Sequence, residues 1–130
     1  MINYLEEEID EALRSLKISS RKLQANETTA LINDLTKKFF KSESSRLDPV
    51  ELNEKNSEHN PDFWKEIQYR INKKDLTFLV FDSTYRGWKI DNALDISSIL
   101  GETTGYPFWV TDSKLTFLVH MDDHDCVIWA

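Results

Sequence analysis

The sequence predicts an α+β fold: about five antiparallel strands in one sheet, with N-terminal helices and one inserted helix packed on it. Three observations predict this. Residues 106–130 (YPFWVTDSKLTFLVHMDDHDCVIWA) hold short aromatic and β-branched runs split by polar turns, the pattern of consecutive strands. Residues 76–81 (LTFLVF) form a nearly continuous apolar run, as in a strand covered on both faces. Elsewhere, apolar residues recur at helical spacing.

Residues 2–16 place Ile2, Leu5, Ile9, Leu13 and Leu16 on one helical stripe. Glu6, Glu7, Asp10, Glu11 and Arg14 lie opposite, and the early acids suit the helix dipole. A second helix is expected over 27–41, with Leu31, Leu35 and Phe39 inward, Asn26 as its cap and Lys37, Lys38 and Lys41 at its basic end. Both helices pack most simply on a sheet, because they lack the heptads of a coiled coil. Residues 42–60 are polar and interrupted by Pro49. They read as a surface loop or an internal boundary, with a short helical turn at 50–55 capped by Asp48.

Asn60-Pro61-Asp62 opens a helix over 61–72 that buries Trp64, Ile67 and Ile71. After the strand 76–81, residues 82–86 turn and 87–90 pair back, carrying Trp88. Asp91 or Asn92 caps a helix with Leu94, Ile96, Ile99 and Leu100 inward, and Gly105 ends it. Strands at 108–111, 115–121 and 126–129 follow as an antiparallel meander joined by turn-favouring residues. The order is α-α-α-β-β-α-β-β-β within 130 residues, the length of a single domain.

The longest apolar run is too short to span a bilayer. The acidic, amphipathic start MINYLEEEID lacks the features of a secretory signal. One cysteine, Cys126, excludes an intramolecular disulfide and points to a reducing, cytoplasmic setting.

The net charge of −7 is unevenly spread. Residues 91–130 carry seven acids against one base, Lys114, whereas residues 1–90 are nearly balanced. Such a surface repels nucleic acid and attracts basic proteins. It also keeps an aromatic-rich chain soluble. Twelve of the 15 aromatic residues fall between positions 63 and 129, more than a core of this size requires. Some of Tyr85, Trp88, Tyr106, Trp109 and Trp129 are therefore expected at or near the surface, where Trp and Tyr serve as interface anchors; the alternative is that they are mostly sheet core.

Motifs for catalysis are weak. His120 and His124 flank Asp122 and Asp123, with Asp125 and Cys126 following, a spacing that would let two histidines share an ion across a hairpin. A third ligand is not obvious beyond Cys126 and His59. Asp-rich turns also form without metal, because Asp bonds its own backbone. Cys126 reads as a small core hydrophobe, and no nucleophile elbow, phosphate loop or zincin motif occurs.

Residues 63–130 resemble the C-terminal half of a family of uncharacterised small bacterial proteins. The resemblance rests on the strand 76–82 ending in Asp82, on Trp88, on the helix from Asp91, on the run from Phe108 to Lys114, and on the turn Asp122-Asp123-His124-Asp125. Where that family has two histidines in the turn, this chain has Asp123 and His124. The resemblance implies no known activity. In size and acidity the chain is also similar in type to bacterial toxin immunity proteins, which bind and block a cognate toxin domain.

These readings converge on an immunity or antitoxin protein that covers a basic toxin domain, acting as a monomer or weak homodimer without cofactor, membrane or nucleic acid. Its expected contacts are Trp88, Tyr106, Trp109, Asp112, Asp122, Asp123, His124 and Asp125. The alternatives are a metal-binding module or metal-assisted enzyme around His120, Asp122 and His124, and a self-associating structural subunit.

Overall fold

The computed structural model describes residues 4–53 and 55–130. Four helices and seven strands follow in the order α1 (Tyr4–Ser15), β1 (Ser20–Lys22), α2 (Ala25–Phe39), β2 (Asn56–His59), α3 (Phe63–Arg70), β3 (Leu76–Asp82), β4 (Thr84–Ile90), α4 (Ala93–Glu102), β5 (Phe108–Asp112), β6 (Leu118–Met121) and β7 (Cys126–Trp129). A 3-10 turn, Pro49–Glu51, precedes β2, and the Asp48 carboxylate caps it by accepting from the Val50 amide at 3.0 Å. Ile2 and Glu54, which the expected first helix and the expected turn at 50–55 include, lie outside the described residues.

The strands form one antiparallel sheet in the order β1-β4-β3-β5-β6-β7-β2. The architecture is α+β as expected, with seven strands rather than about five. The two additional strands are the sheet's edges. Their sequences, SRK and NSEH, are polar and almost wholly exposed, so no apolar alternation marks them. Short polar edges also discourage pairing with a second sheet.

Alternation along the inner strands divides the core between two faces. Leu76, Phe78, Val80, Trp88, Ile90, Phe108, Val110, Val119 and Val127 pack with α1, α3 and α4. Leu79, Trp109 and Leu118 pack on the other face with Ile32 and Leu35 of α2 and with Phe40, Leu47 and Leu52. The 42–60 segment is thus more than surface loop. It sends Leu47 and Leu52 into the core, and Phe40 bridges to Leu52.

Local chemistry explains several ends. The Asp82 carboxylate, at the end of β3, accepts from the Glu6 amide at 3.1 Å and caps the first turn of α1 from 76 residues away. Gln24, not Asn26, precedes α2, and its amide donates to Glu27 at 2.9 Å, half of a capping box. Asn92 caps α4 by accepting from the Asp95 amide at 3.0 Å. The β3–β4 join tightens to Ser83, with φ 64°, so β4 begins at Thr84, inside the turn expected at 82–86.

Candidate functional site

The β6–β7 turn builds itself from its own acids. The Asp122 carboxylate accepts from the amides of His124 at 2.8 Å and Cys126 at 2.9 Å. Asp125 closes the turn with φ 64°, a conformation short polar residues tolerate. The Asp125 carbonyl accepts from the Asn60 amide at 2.9 Å, which fixes the turn beside the start of α3. With Asp122 holding the loop, Asp123 and His124 project into solvent.

Next to this turn lies a cleft of about 380 Å³ that brings Asp122, Asp123 and Asp125 together with Trp64 and Tyr106. Trp64 comes from α3 and lies over Gly101 of α4, where an added Cβ would stand 3.2 Å from the indole. That contact explains a glycine inside α4. The Tyr106 hydroxyl shares a 2.8 Å hydrogen bond with Thr103, and its ring packs edge-on against Phe78. Burial pushes the phenol above its ordinary pKa, and Glu8 nearby adds to the rise, so Tyr106 stays neutral at physiological pH.

Glu8 extends the acidic surface. Its carboxylate accepts from the Thr104 amide at 3.0 Å and hydroxyl at 2.9 Å. Thr104 lines both the cleft and a neighbouring concavity formed by Tyr4, Glu7, Glu8, Asp10, Glu11 and Arg14 of α1, where Arg14 pairs with Glu11 at 2.5 Å and leaves Glu7 and Glu8 as its open acids. The N-terminal helix thus joins its acids to those of the C-terminal turn. Tyr4, at 73% exposure, is the most open aromatic of this surface. Sequence reasoning missed Tyr4, Trp64 and the α1 acids because their proximity to the turn exists only after folding. The acidic stripe on the outer side of α1 was the one available signal.

Three expected contacts are corrected. Trp88 is 1% exposed, and its Nε1–H donates to Asp10 at 3.0 Å. Trp109 is buried and packs on Phe40 and His120. Neither is available to a partner, because both occupy inward positions of covered strands. Asp112 is also buried. Burial alone would raise its pKa, but the Thr116 hydroxyl and amide, at 2.5 and 2.7 Å, outweigh this and hold the carboxyl below its usual range. Asp112 therefore closes the β5–β6 turn instead of steering a partner. Tyr106, Asp122, Asp123 and Asp125 do share the cleft, whereas His124, exposed at the tip of the turn, does not line it.

The histidines do not meet. His120 lies on β6 opposite Ile128, while His124 sits at the tip of the turn. The His120 Nδ1–H donates to the Phe108 carbonyl at 2.9 Å, deep in the face covered by α2. Cys126 stands opposite His59 of β2 instead. Among the described residues, no three His, Cys, Asp or Glu side chains are placed to hold one metal ion, and no helix is long and apolar enough to cross a membrane. No protein-family model, curated protein or solved structure matches this chain.

Proposed function

We propose that this protein is an immunity or antitoxin-type inhibitor that binds a basic protein, in the manner of a toxin domain, and blocks it without chemistry of its own. One observation carries the reading: the folded chain gathers Asp122, Asp123 and Asp125 with Trp64 and Tyr106 in one cleft, continuous through Thr104 with the acids of α1. Acids around aromatic anchors suit recognition of a Lys- or Arg-rich surface. The charges speed encounter, and the rings supply desolvated contact area. An acceptor-rich, phosphate-repelling surface is ill suited to nucleic acid.

The testing experiment is capture from the source cell's lysate and neighbouring gene products, with the eluate analysed for protein and for metal. A stoichiometric basic protein, released by salt and lost when Asp123 and Asp125 become Asn, is the result expected. Recovery of the chain with no protein in stoichiometric amount overturns the inhibitor reading.

A further inference from the structure

A second cleft, of about 300 Å³, opens at the far end of α3. Its character is opposite to that of the acidic cleft. Phe63, Phe117, Val119 and Trp129 make its walls, with Asn72 and Lys73 at its rim. Phe63 and Val119 belong to the core, whereas Phe117 and Trp129 are half-buried and line the cleft.

Two cations stand here, and they differ. Arg70 lies 5.5 Å from the Phe63 ring and 5.7 Å from the Trp129 ring. Its guanidinium is neutralised by Glu58 at 2.6 Å and Glu66 at 3.3 Å. Arg70 is therefore a fixed wall that orients the aromatics. Lys73 is exposed and takes no part in the ion pairs of the described residues. Its charge reaches Asp112 only through space.

We propose that this cleft binds a small amphipathic carboxylate, an aromatic or branched-chain acid. The apolar body lies against Phe117 and Trp129, and the carboxylate pairs with Lys73 beside the Asn72 amide. The volume is at the lower end for small-molecule sites, enough for a ring with a short acidic tail. Inorganic anions would leave the aromatic walls in water, and cations would meet Lys73. The net charge of −7 makes indiscriminate anion binding unfavourable, so an anion held here is held by the local cation. This cleft and the acidic one share no lining residue, so the proposal stands apart from the inhibitor reading.

The test is a titration of the full chain with 4-phenylbutyrate at pH 7, followed by amide and indole NMR shifts. Saturable one-to-one shifts at residues 70–73, 117–119 and the Trp129 indole are expected, with Asp122 to Asp125 unmoved. Lys73→Glu should weaken binding about fivefold, the scale of an exposed ion pair. The uncharged 4-phenylbutyramide should lose a similar factor, and Phe117→Ala should weaken acid and amide alike. Absence of saturation, shifts confined to the acidic cleft, or equal affinity for acid and amide would each overturn the proposal.

Discussion

Trp109 and His120 stand opposite each other across the β5–β6 pair, their ring centroids 4.1 Å apart and their planes tilted by 30°. Phe40 also packs on the indole, at 6.0 Å, and Trp109 shares its core cluster with Leu47 and Leu52 of the 42–52 segment. Burial pushes the His120 pKa down, against smaller upward pulls from the Phe108 carbonyl and from the charge of Asp122. The folded protein thus holds fewer protons than the unfolded chain just below pH 6.5, the unfolded histidine value. The stability this neutral imidazole contributes is fully present above pH 6.5. It is lost as pH falls from there through the lower folded pKa. Urea midpoints should therefore drop between pH 7.5 and 5, and His120→Phe should flatten that slope. An unchanged slope in the variant would remove His120 from the account.

Asp112 works in the opposite pH range. Its folded pKa lies below the ordinary carboxyl value of 3.8, because the two Thr116 bonds outweigh its burial. Its contribution is present above pH 3.8 and is lost as pH falls through the lower folded value. Asp112→Asn should cost about 1–2 kcal/mol at pH 7, the scale of a charge-assisted hydrogen bond. The difference from the parent should shrink toward pH 3. Chemical denaturation of both proteins at the two pH values measures this directly. A constant difference would assign the loss to packing instead.

The bond from Trp88 to Asp10 ties β4 to α1 across 78 residues of sequence. Asp10 also pairs with Lys22 of the edge strand β1, whose ammonium stands 5.8 Å from the Trp88 ring. Asp10→Ala leaves a buried indole N–H without an acceptor and should cost about 1–3 kcal/mol. Asp10→Asn keeps an acceptor and should cost less. Thermal unfolding of the pair decides it: equal losses would mean that the charge on Lys22, not the indole bond, matters.

How far the sequence speaks depends on what kind of force sets each feature. The β3 strand, the helix stripes and the β5–β6–β7 meander are legible because burial imposes period on apolar residues, and β7 falls at residues 126–129 as expected. The edge strands β1 and β2 are not legible, since backbone pairing alone makes them and leaves no mark on SRK or NSEH. The candidate site is legible in half. The acids of the β6–β7 turn and Tyr106 stand out by composition, but Trp64, Tyr4 and Glu8 reach them only through helix packing. Trp88 and Trp109 mislead for a related reason. Aromatic abundance alone does not say which rings a two-faced sheet will cover, and this sheet, with α2 and the 42–52 segment on its second face, covers more than five strands with one helical layer would.

The acids of the cleft differ in what they do, and that difference shapes the decisive substitution. Asp122 holds the turn through two backbone bonds, so replacing it would confuse folding with recognition. Asp123 is exposed, Asp125 lines the cleft, and Glu7 lies on the adjoining face of α1. Asp123→Asn, Asp125→Asn and Glu7→Gln together remove three charges while leaving the Asp122 bonds in place. Against a captured basic partner, the triple variant should associate about tenfold more slowly at low ionic strength, with much less change in dissociation. Its rate should also vary less with salt, because fewer charges remain to be screened. Asp34→Asn, on the exposed side of α2 and thus on the opposite layer of the sheet, serves as the control and should leave the rate unchanged. Stopped-flow association across a salt series separates the outcomes. If the triple variant and the control behave alike, the acidic cleft is not where the partner lands, and its charges serve solubility alone.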